Sequence, residues 1–127
     1  MSAAPIFVGT PKTFQGALST ANTNRDGSGT ITTLVTGGSL GTRIDRIKTI
    51  AAGTVTAGVV RFFLSDGTNT RLFKERLVTA ITPSATVAVF EDEITFADAL
   101  IIPTGWTLKA STHNAEAFNL FAHGGDI

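Results

Sequence analysis

The chain contains no cysteine and no tyrosine, and only two histidines and one tryptophan among its 127 residues. Without cysteine, a disulfide framework and a metal site built on thiolates are both excluded. Histidine provides much of the acid–base catalysis and metal ligation in proteins, so two of them leave little material for an active site. The composition therefore favours a structural protein over an enzyme, and we expect no cofactor and no metal.

Charge is also scarce, because charged residues make up 16% of the chain against about one quarter in ordinary soluble domains. A surface with so few charges is apolar or hydroxylated over much of its area, which favours lasting contact with other protein. The ten basic and ten acidic residues cancel, so global charge gives no attraction to nucleic acid or to an anionic membrane. We therefore expect protein partners, with no nucleic acid and no membrane.

The few charges are unevenly distributed along the chain. Six of the ten basic residues precede residue 64, whereas eight of the ten acidic residues follow it. The sharpest contrast sets Arg43, Arg46 and Lys48 against the acidic run at residues 91–93. These groups could pair within one fold or across a subunit boundary. They could equally lie on two solvated strand faces, since an exposed ion pair contributes only about 0–1 kcal/mol.

Long hydrophobic runs are absent from the sequence. No stretch approaches the ~20 consecutive apolar residues that a membrane-spanning helix needs. Residues 1–12 have neither the basic start nor the apolar core of a secretory signal. We therefore expect the protein to be made and first folded in the cytosol.

Residues 1–12 predict an extended arm in front of a single domain at residues 13–127. The two prolines of this segment resist helix formation and remove two ladder donors. Between them lie three apolar residues, Ile6, Phe7 and Val8. Because these side chains favour burial, we expect the arm to dock on its own domain or on a neighbour.

The chain is rich in short Val, Ile, Phe and Thr runs that alternate with Gly, Asn, Asp and Pro clusters. This alternation of strand-forming runs and turn-forming clusters, without a sustained helical period, is typical of an all-β sandwich. The predicted strands occupy residues 13–20, 30–36, 42–52, 58–65, 70–79, 86–96, 106–112 and 117–123. The third is predicted to contain a bulge, the fourth to be buried on both faces, and residues 97–100 to form one helical turn. Asp66-Gly67 is predicted to form the hairpin turn between the fourth and fifth strands. About eight strands in one domain predict a jelly-roll-type sandwich of two antiparallel sheets.

Two short motifs imitate functional sites but have plainer interpretations. Residues 37–41 match G-x-S-x-G, the nucleophile elbow, which requires a strand, a sharp turn and then a helix. A further strand is predicted to follow here, so we interpret the motif as a Gly-Ser turn. Residues 22–27 imitate the start of a calcium loop, but the twelfth position is Thr33 instead of the required Glu. An Asx-rich structural turn is the better interpretation.

The two histidines and the tryptophan are the remaining candidates for chemistry. His113 and His123 flank the last predicted turn, with Glu116 between them, and could hold a metal if their strands pair. Two exposed histidines are the better interpretation, since the two residues lack the close spacing of a jelly-roll metal site. Trp106 follows a Pro-x-Gly turn and is predicted to anchor one end of a sheet.

Three runs resemble small virion structural proteins of tailed bacteriophages: residues 41–47 (GTRIDRI), 61–69 (RFFLSDGTN) and 100–108 (LIIPTGWTL). The likeness extends over most of the chain after residue 13 and carries over no catalytic residue. It implies a capsid decoration (cement) protein with a jelly-roll body, made in the host cytoplasm and bound to the capsid exterior. It further implies a homotrimer that clamps neighbouring copies of the major capsid protein.

We therefore expect two sets of residues to contact protein partners. Ile6, Phe7 and Val8 are predicted to dock on the capsid or on an adjacent subunit. Arg43, Arg46 and Lys48 are predicted to meet an acidic surface, on the capsid or at residues 91–93 of a neighbour.

Two other functions are compatible with the sequence. A head-fibre, tail or receptor-binding module would hold host glycans with exposed aromatic residues, Trp106 among them. A small metal-dependent enzyme would bind its ion through His113 and His123.

Overall fold

The structure is a computed structural model that describes residues 8–127. These residues form eight strands and no helix, and so none that is long and apolar enough to cross a membrane. The strands are β1 (Thr10–Leu18), β2 (Thr32–Thr36), β3 (Thr42–Ala51), β4 (Gly58–Ser65), β5 (Thr70–Val78), β6 (Glu91–Ile102), β7 (Thr107–Thr112) and β8 (Phe118–Asp126). The predicted all-β class is confirmed.

The strands form two four-stranded sheets in which every pair is antiparallel. The first sheet has the order β1-β8-β3-β6 and the second has the order β2-β7-β4-β5. The pairs β1·β8, β2·β7, β3·β6 and β4·β5 are those of one long hairpin that has been rolled up. Its apex is the turn at Asp66-Gly67, which was predicted from the sequence. This pairing is the jelly-roll arrangement, and it confirms the predicted fold.

The first strand begins earlier than predicted. Residues 10–12 belong to β1 and pair with residues 124–126 of β8, so the last three residues of the predicted arm lie in the sheet. Pro11 is tolerated there because β1 is an edge strand, where one side needs no ladder donor. Ile6 and Phe7 lie outside the described residues.

The bulge predicted in β3 is confirmed and lies at Asp45. In the ladder with β8, Ile44 pairs with Gly124 and Arg46 with His123, which leaves Asp45 as an extra residue. The extra residue shifts the alternation of side chains by one position. Ile44 and Ile47, three apart in sequence, therefore both point into the core.

The helical turn predicted at residues 97–100 is wrong, because β6 continues through these residues to Ile102. Opposite the β3 bulge, the register of β6 jumps from Thr95 to Leu100. Residues 96–99 therefore have no partner in this ladder and form a four-residue bulge. Ala99 there adopts a φ of 60°, in the left-handed region that residues other than glycine rarely occupy. The strand also begins at Glu91 instead of residue 86. Ala97, Asp98 and Ala99 do not alternate large apolar with polar side chains, which explains why the sequence did not predict a strand at residues 97–100.

The core lies between the two sheets and is built from alternate residues of both. Its largest members include Ile44, Ile47, Phe62, Ile102, Leu108, Phe118 and Leu120, each at most 1% exposed. Full burial of such a side chain stabilises the fold by about 1.5–3 kcal/mol. The core therefore fixes the orientation of both sheets and of the side chains on their outer faces.

The connections divide the sandwich into two ends. The terminal end carries the β2–β3, β4–β5 and β6–β7 connections together with the start of β1 and the end of β8. The opposite end carries the other four connections. At the terminal end, the backbone nitrogen of Gly9 donates to the carbonyl oxygen of Asp126 at 2.8 Å. The chain therefore continues from β1 towards residues 1–7 beside its own C-terminus.

Candidate protein-contact surfaces

The outer face of the first sheet, which we call the β3 face, carries the three basic residues singled out in the sequence. The bulge at Asp45 puts Arg43, Arg46 and Lys48 on this one face, while the isoleucines between them point inwards. Arg46 is exposed and has His123 and Thr95 as cross-strand neighbours. The predicted basic cluster is therefore a row along the centre of the sheet.

Two of the three basic residues are partnered within the chain. The Nζ atom of Lys48 lies 3.5 Å from the Oε2 atom of Glu91, and the Nε atom of Arg43 lies 2.9 Å from the Oδ1 atom of Asp45. Pairs with this exposure contribute about 0–1 kcal/mol each. Within residues 8–127, Arg46 has no hydrogen bond or ion pair. Arg46 is therefore the basic group of this face that is available to a partner.

The acidic run at residues 91–93 is divided between two faces. Glu91 and Glu93 point outwards next to Lys48, whereas Asp92 pairs with Arg76 of the second sheet. The Nε and Nη2 atoms of Arg76 donate to Asp92 at 2.7 and 2.9 Å. This bidentate ion pair joins β5 and β6, the edge strands of the two sheets. Of the acidic run, only Glu91 and Glu93 therefore remain on the β3 face.

Of the predicted arm contacts, only Val8 lies within the described residues. Val8 is half-buried, and its side chain lies against Gly125 of β8. Part of its surface is therefore used within its own subunit. The contact roles of Ile6 and Phe7 stay predictions.

The outer face of the second sheet, which we call the β4 face, is covered by the chain itself. The β1–β2 loop at residues 19–31 runs across it: Ala21 pairs with Thr112 of β7, and Gly27 packs on Thr70 of β5. Arg61 and Phe63 point to this face, yet both are 0% exposed. The prediction that β4 is buried on both sides is confirmed.

Arg61 is held in this covered layer by three hydrogen bonds. Its Nε atom donates to the Oε2 atom of Glu75 at 2.7 Å and its Nη1 atom to the carbonyl oxygen of Asn22 at 3.0 Å. Its Nη2 atom lies 3.0 Å from the Nδ1 atom of His113. Because a guanidinium only donates, Nδ1 of His113 must accept. His113 is therefore a structural acceptor, a role that the sequence did not indicate.

Glu75 also binds the covering loop. The Nε atom of Arg25 donates to the same Oε2 atom at 2.6 Å. The hydrogen bond from Arg25, together with that from Arg61, lowers the pKa of the Glu75 carboxyl from its ordinary value of 4.5. The loop is therefore fastened to β4 and β5 through one ionised carboxylate.

The G-x-S-x-G segment is a turn between β2 and β3, with Ser39 exposed. A strand follows it where the nucleophile elbow would need a helix, which confirms the interpretation as a turn. Its first glycine is required by space, because a Cβ atom at Gly37 would lie 2.0 Å from the carbonyl oxygen of Pro103. The motif therefore packs the β2–β3 turn against the β6–β7 turn.

The calcium-like segment uses its oxygen and nitrogen atoms within the loop. The amide of Asn22 donates to the carbonyl oxygens of Ser28 and Thr30, each at 2.9 Å. The Oδ1 atom of Asp26 accepts from the backbone of Ser28 at 3.0 Å, and this contact and the Ser28 hydroxyl lower the pKa of Asp26. The interpretation as a structural Asx-rich turn is confirmed.

The candidate metal ligands are not brought together. His113 binds Arg61 on the β4 face, His123 lies on the β3 face, and Glu116 accepts from the backbone of Thr56 at 2.8 Å. No group of three metal-ligating side chains occurs in the part of the chain that the structure describes.

Exposed apolar side chains concentrate at the terminal end. Among residues 8–127, seven large hydrophobic residues are at least 37% exposed, and five of them lie at or near this end: Leu40, Leu72, Phe73, Ile101 and Trp106. A cavity of about 190 Å³ opens there between the β4–β5 hairpin and the β6–β7 turn. We call it the Trp106 pocket; it is lined by Leu64, Asp66, Asn69, Arg71, Leu72, Phe73 and Trp106. The sequence alone did not show this cluster, because its members come from separate connections.

No protein-family model matches the chain, and no curated protein matches its sequence. Among solved structures, two pentameric capsid proteins isolated from metagenomic phage sequences are similar to it. One has 19% identity and a TM-score of 0.37 over 91% of this chain and 66% of its own length. The other has 20% identity and a TM-score of 0.34 over 88% and 58%. The chain thus spans less than two thirds of either protein, and similarity at this level carries no argument about function.

Proposed function

We propose that the chain is a structural protein of a tailed-phage virion that binds the outside of the capsid and stabilises it, as a decoration protein does. The observation that carries the proposal is the concentration of exposed apolar side chains at one end of a sandwich with few charges. Leu72, Phe73 and Trp106 line one pocket there, and exposed apolar side chains that cluster in this way mark protein–protein contact. The resemblance of three sequence runs to phage virion proteins supports the choice of partner.

A contact of ordinary size is within reach of this small subunit. A standard interface buries about 800 Å² on each partner, whereas the chain exposes 6883 Å² in total. Such a contact would use about one ninth of that surface. Repeated at symmetric positions on a capsid, contacts of this size reinforce one another by avidity.

We assign the contacts with protein partners to Ile6, Phe7 and Val8, on the capsid or on an adjacent subunit, and to the exposed Arg46, with Arg43 and Lys48 beside it. The subunits are expected to associate as a homotrimer. The partner is the major capsid protein, and the protein lies on the capsid exterior.

Co-sedimentation with purified heads that lack the protein tests the proposal. The full chain should pellet with the heads at a fixed, saturable ratio. Deletion of residues 2–7 should weaken pelleting without affecting the fold; the deletion stops there because residues 10–12 belong to β1. Arg46→Glu should weaken it too, and Lys74→Glu, at another exposed basic residue on β5, serves as the control. Unchanged pelleting by the deletion variant would remove the arm from the contact.

A second candidate function, a glycan-binding head-fibre or tail module, is favoured by the Trp106 pocket. An aromatic side chain stands there beside the polar side chains of Asp66, Asn69 and Arg71. Glycan-array binding that disappears in Trp106→Ala, with no pelleting on heads, would support this function against the first.

A further inference from the structure

We propose that the Trp106 pocket binds the side chains of Ile6 and Phe7 from a second copy of this chain, so that subunits are joined by exchange of their N-terminal segments. The inference rests on the proposed function in taking the protein to be an assembling one. It goes further by naming the contact between the subunits.

The pocket and the N-terminal segment lie at the same end of the sandwich. Leu72, Phe73 and Trp106 line the pocket and are each 37–38% exposed, although they are large apolar side chains. Val8, from which the chain continues towards Phe7 and Ile6, lies against Gly125 at this terminal end. The exposed apolar pocket and the point at which residues 6 and 7 join the described chain thus lie at the same end of the subunit.

The size of the pocket favours side chains over a small-molecule ligand. Ligand pockets usually enclose about 300–1,000 Å³, whereas this one encloses about 190 Å³. Its apolar part is bordered by Asp66, Asn69 and Arg71. An apolar centre within a polar rim is the anatomy of a site that receives anchoring residues of a protein partner.

The β5 wall of the pocket lies at the far edge of the second sheet from β1. β1 packs over β2, whereas Leu72 and Phe73 lie on β5, at the far edge of the second sheet. Three strand spacings separate β2 from β5, which is about 14 Å, and the sheets are about 10 Å apart. The Cα atom of Ile6 lies at most about 7 Å from that of Val8, because two residues span no more. Residues 6 and 7 of a second copy are therefore the proposed occupant, and filling of the pocket by the arm of the same subunit is the outcome in which the wild-type chain is monomeric.

The contact is heterologous, because the arm and the pocket are different surfaces of one subunit. Contacts of this type close into rings or extend into filaments, whereas a twofold dimer uses the same surface twice. A ring such as the proposed homotrimer follows if the rotation between subunits closes.

The test is the mass of the full chain in solution by light scattering. The wild-type chain should be oligomeric. The arm variant Ile6→Ser/Phe7→Ser and the pocket variant Leu72→Ser/Trp106→Ser should each be monomeric, with association weakened at least about 100-fold. The control Leu77→Ser/Val87→Ser replaces exposed apolar residues at the opposite end and should keep the wild-type mass. Circular dichroism and thermal melting verify that every variant is folded.

A mixture of the two variants provides the sharpest outcome. The arm variant retains its pocket and the pocket variant retains its arm, so one contact can form between them but no ring can close. We expect dimers with one copy of each variant, from two proteins that are monomeric alone. A mixture that stays monomeric, or an arm variant with the wild-type mass, would overturn the exchange.

Cross-linking tests the partners directly, because the natural chain has no cysteine. Oxidation of mixed Phe7→Cys and Leu72→Cys chains should give a disulfide-linked dimer, whereas Leu77→Cys in place of Leu72→Cys should not. A wild-type chain that is monomeric, or a pocket that instead binds a glycan, would overturn the exchange. Pelleting with heads is measured separately, so the proposed function can survive that result or fail by itself.

Discussion

Arg46 and Arg61 lie on the two outer faces of the sandwich and differ in their exposure and in their hydrogen bonds. Arg46 points from the centre of the β3 face and is exposed, with no ion pair within residues 8–127. Arg61 points from the centre of the β4 face and is completely buried, with three hydrogen-bond partners. Each arginine lies on a central strand of its sheet, β3 or β4. Their exposure differs because the β1–β2 loop covers only the second sheet. A loop therefore decides whether an arginine stabilises the fold or is available to a partner.

The largest expected effect is the loss of Arg61. Arg61→Met removes the donor to the carbonyl oxygen of Asn22 and to the Nδ1 atom of His113 in a covered layer, and leaves Arg25 as the remaining donor to Glu75. Leaving two such acceptors unsatisfied costs about 1–3 kcal/mol each. Urea unfolding followed by circular dichroism measures it. Arg46→Met is the matched control and should change the free energy of unfolding by less than about 0.5 kcal/mol; equal losses would contradict the comparison.

A smaller loss is expected when the cover itself is loosened. Asn22→Ala removes the amide that donates to the carbonyl oxygens of Ser28 and Thr30. Leaving such groups unsatisfied costs about 1–3 kcal/mol. Hydrogen exchange should become faster in β4, beneath the loop, and stay unchanged in β3. Faster exchange in both strands would show that the loop does not act locally.

Acid should weaken the covered face. The folded-state pKa of Glu75 lies below its unfolded value of 4.5 because of Arg25 first and Arg61 second. Its stabilisation is therefore complete above pH 4.5 and is lost as the pH falls through the folded pKa. Thermal melts between pH 7 and pH 3 should show a smaller acid loss for Glu75→Gln than for the wild type. Glu93→Gln, on the β3 face, is the control and should follow the wild type.

The smallest effect on the fold, but a clear one on binding, is expected from salt. Exposed charges are screened as the ionic strength rises from about 0.05 to 0.5 M, so pelleting with heads should weaken if Arg46 meets an acidic surface. The unfolding midpoint should barely move, because the pairs on the β3 face are exposed. Pelleting that is indifferent to salt would remove the basic row from the contact.

The sequence predicted the fold through its turns. The Asp66-Gly67 pair marks the apex of the rolled hairpin, and the isoleucine spacing around Asp45 indicates the bulge that orients the β3 face. The β6 bulge at residues 96–99 was missed because Ala97, Asp98 and Ala99 do not alternate large apolar with polar side chains. A local pattern also could not indicate whether the loop covers Arg61 or Arg46, since that depends on the packing of distant segments.

The candidate contact surface was predictable only in part. Composition indicated a surface poor in charge, and the sequence placed Trp106 at the end of a sheet. Phe73 and Trp106 are 33 positions apart in the chain, and only the topology brings them to one pocket. Which end of the sandwich carries the exposed apolar residues therefore follows from strand order, which composition and spacing do not specify.

The central claim is that this protein stabilises a capsid, and calorimetry of purified heads tests it most directly. Heads that lack the protein are heated with and without increasing amounts of the full chain. Because a ligand that binds only the intact head stabilises it by mass action, the head transition should move to higher temperature and saturate at a fixed ratio. A head transition that stays unchanged at every ratio would contradict the account.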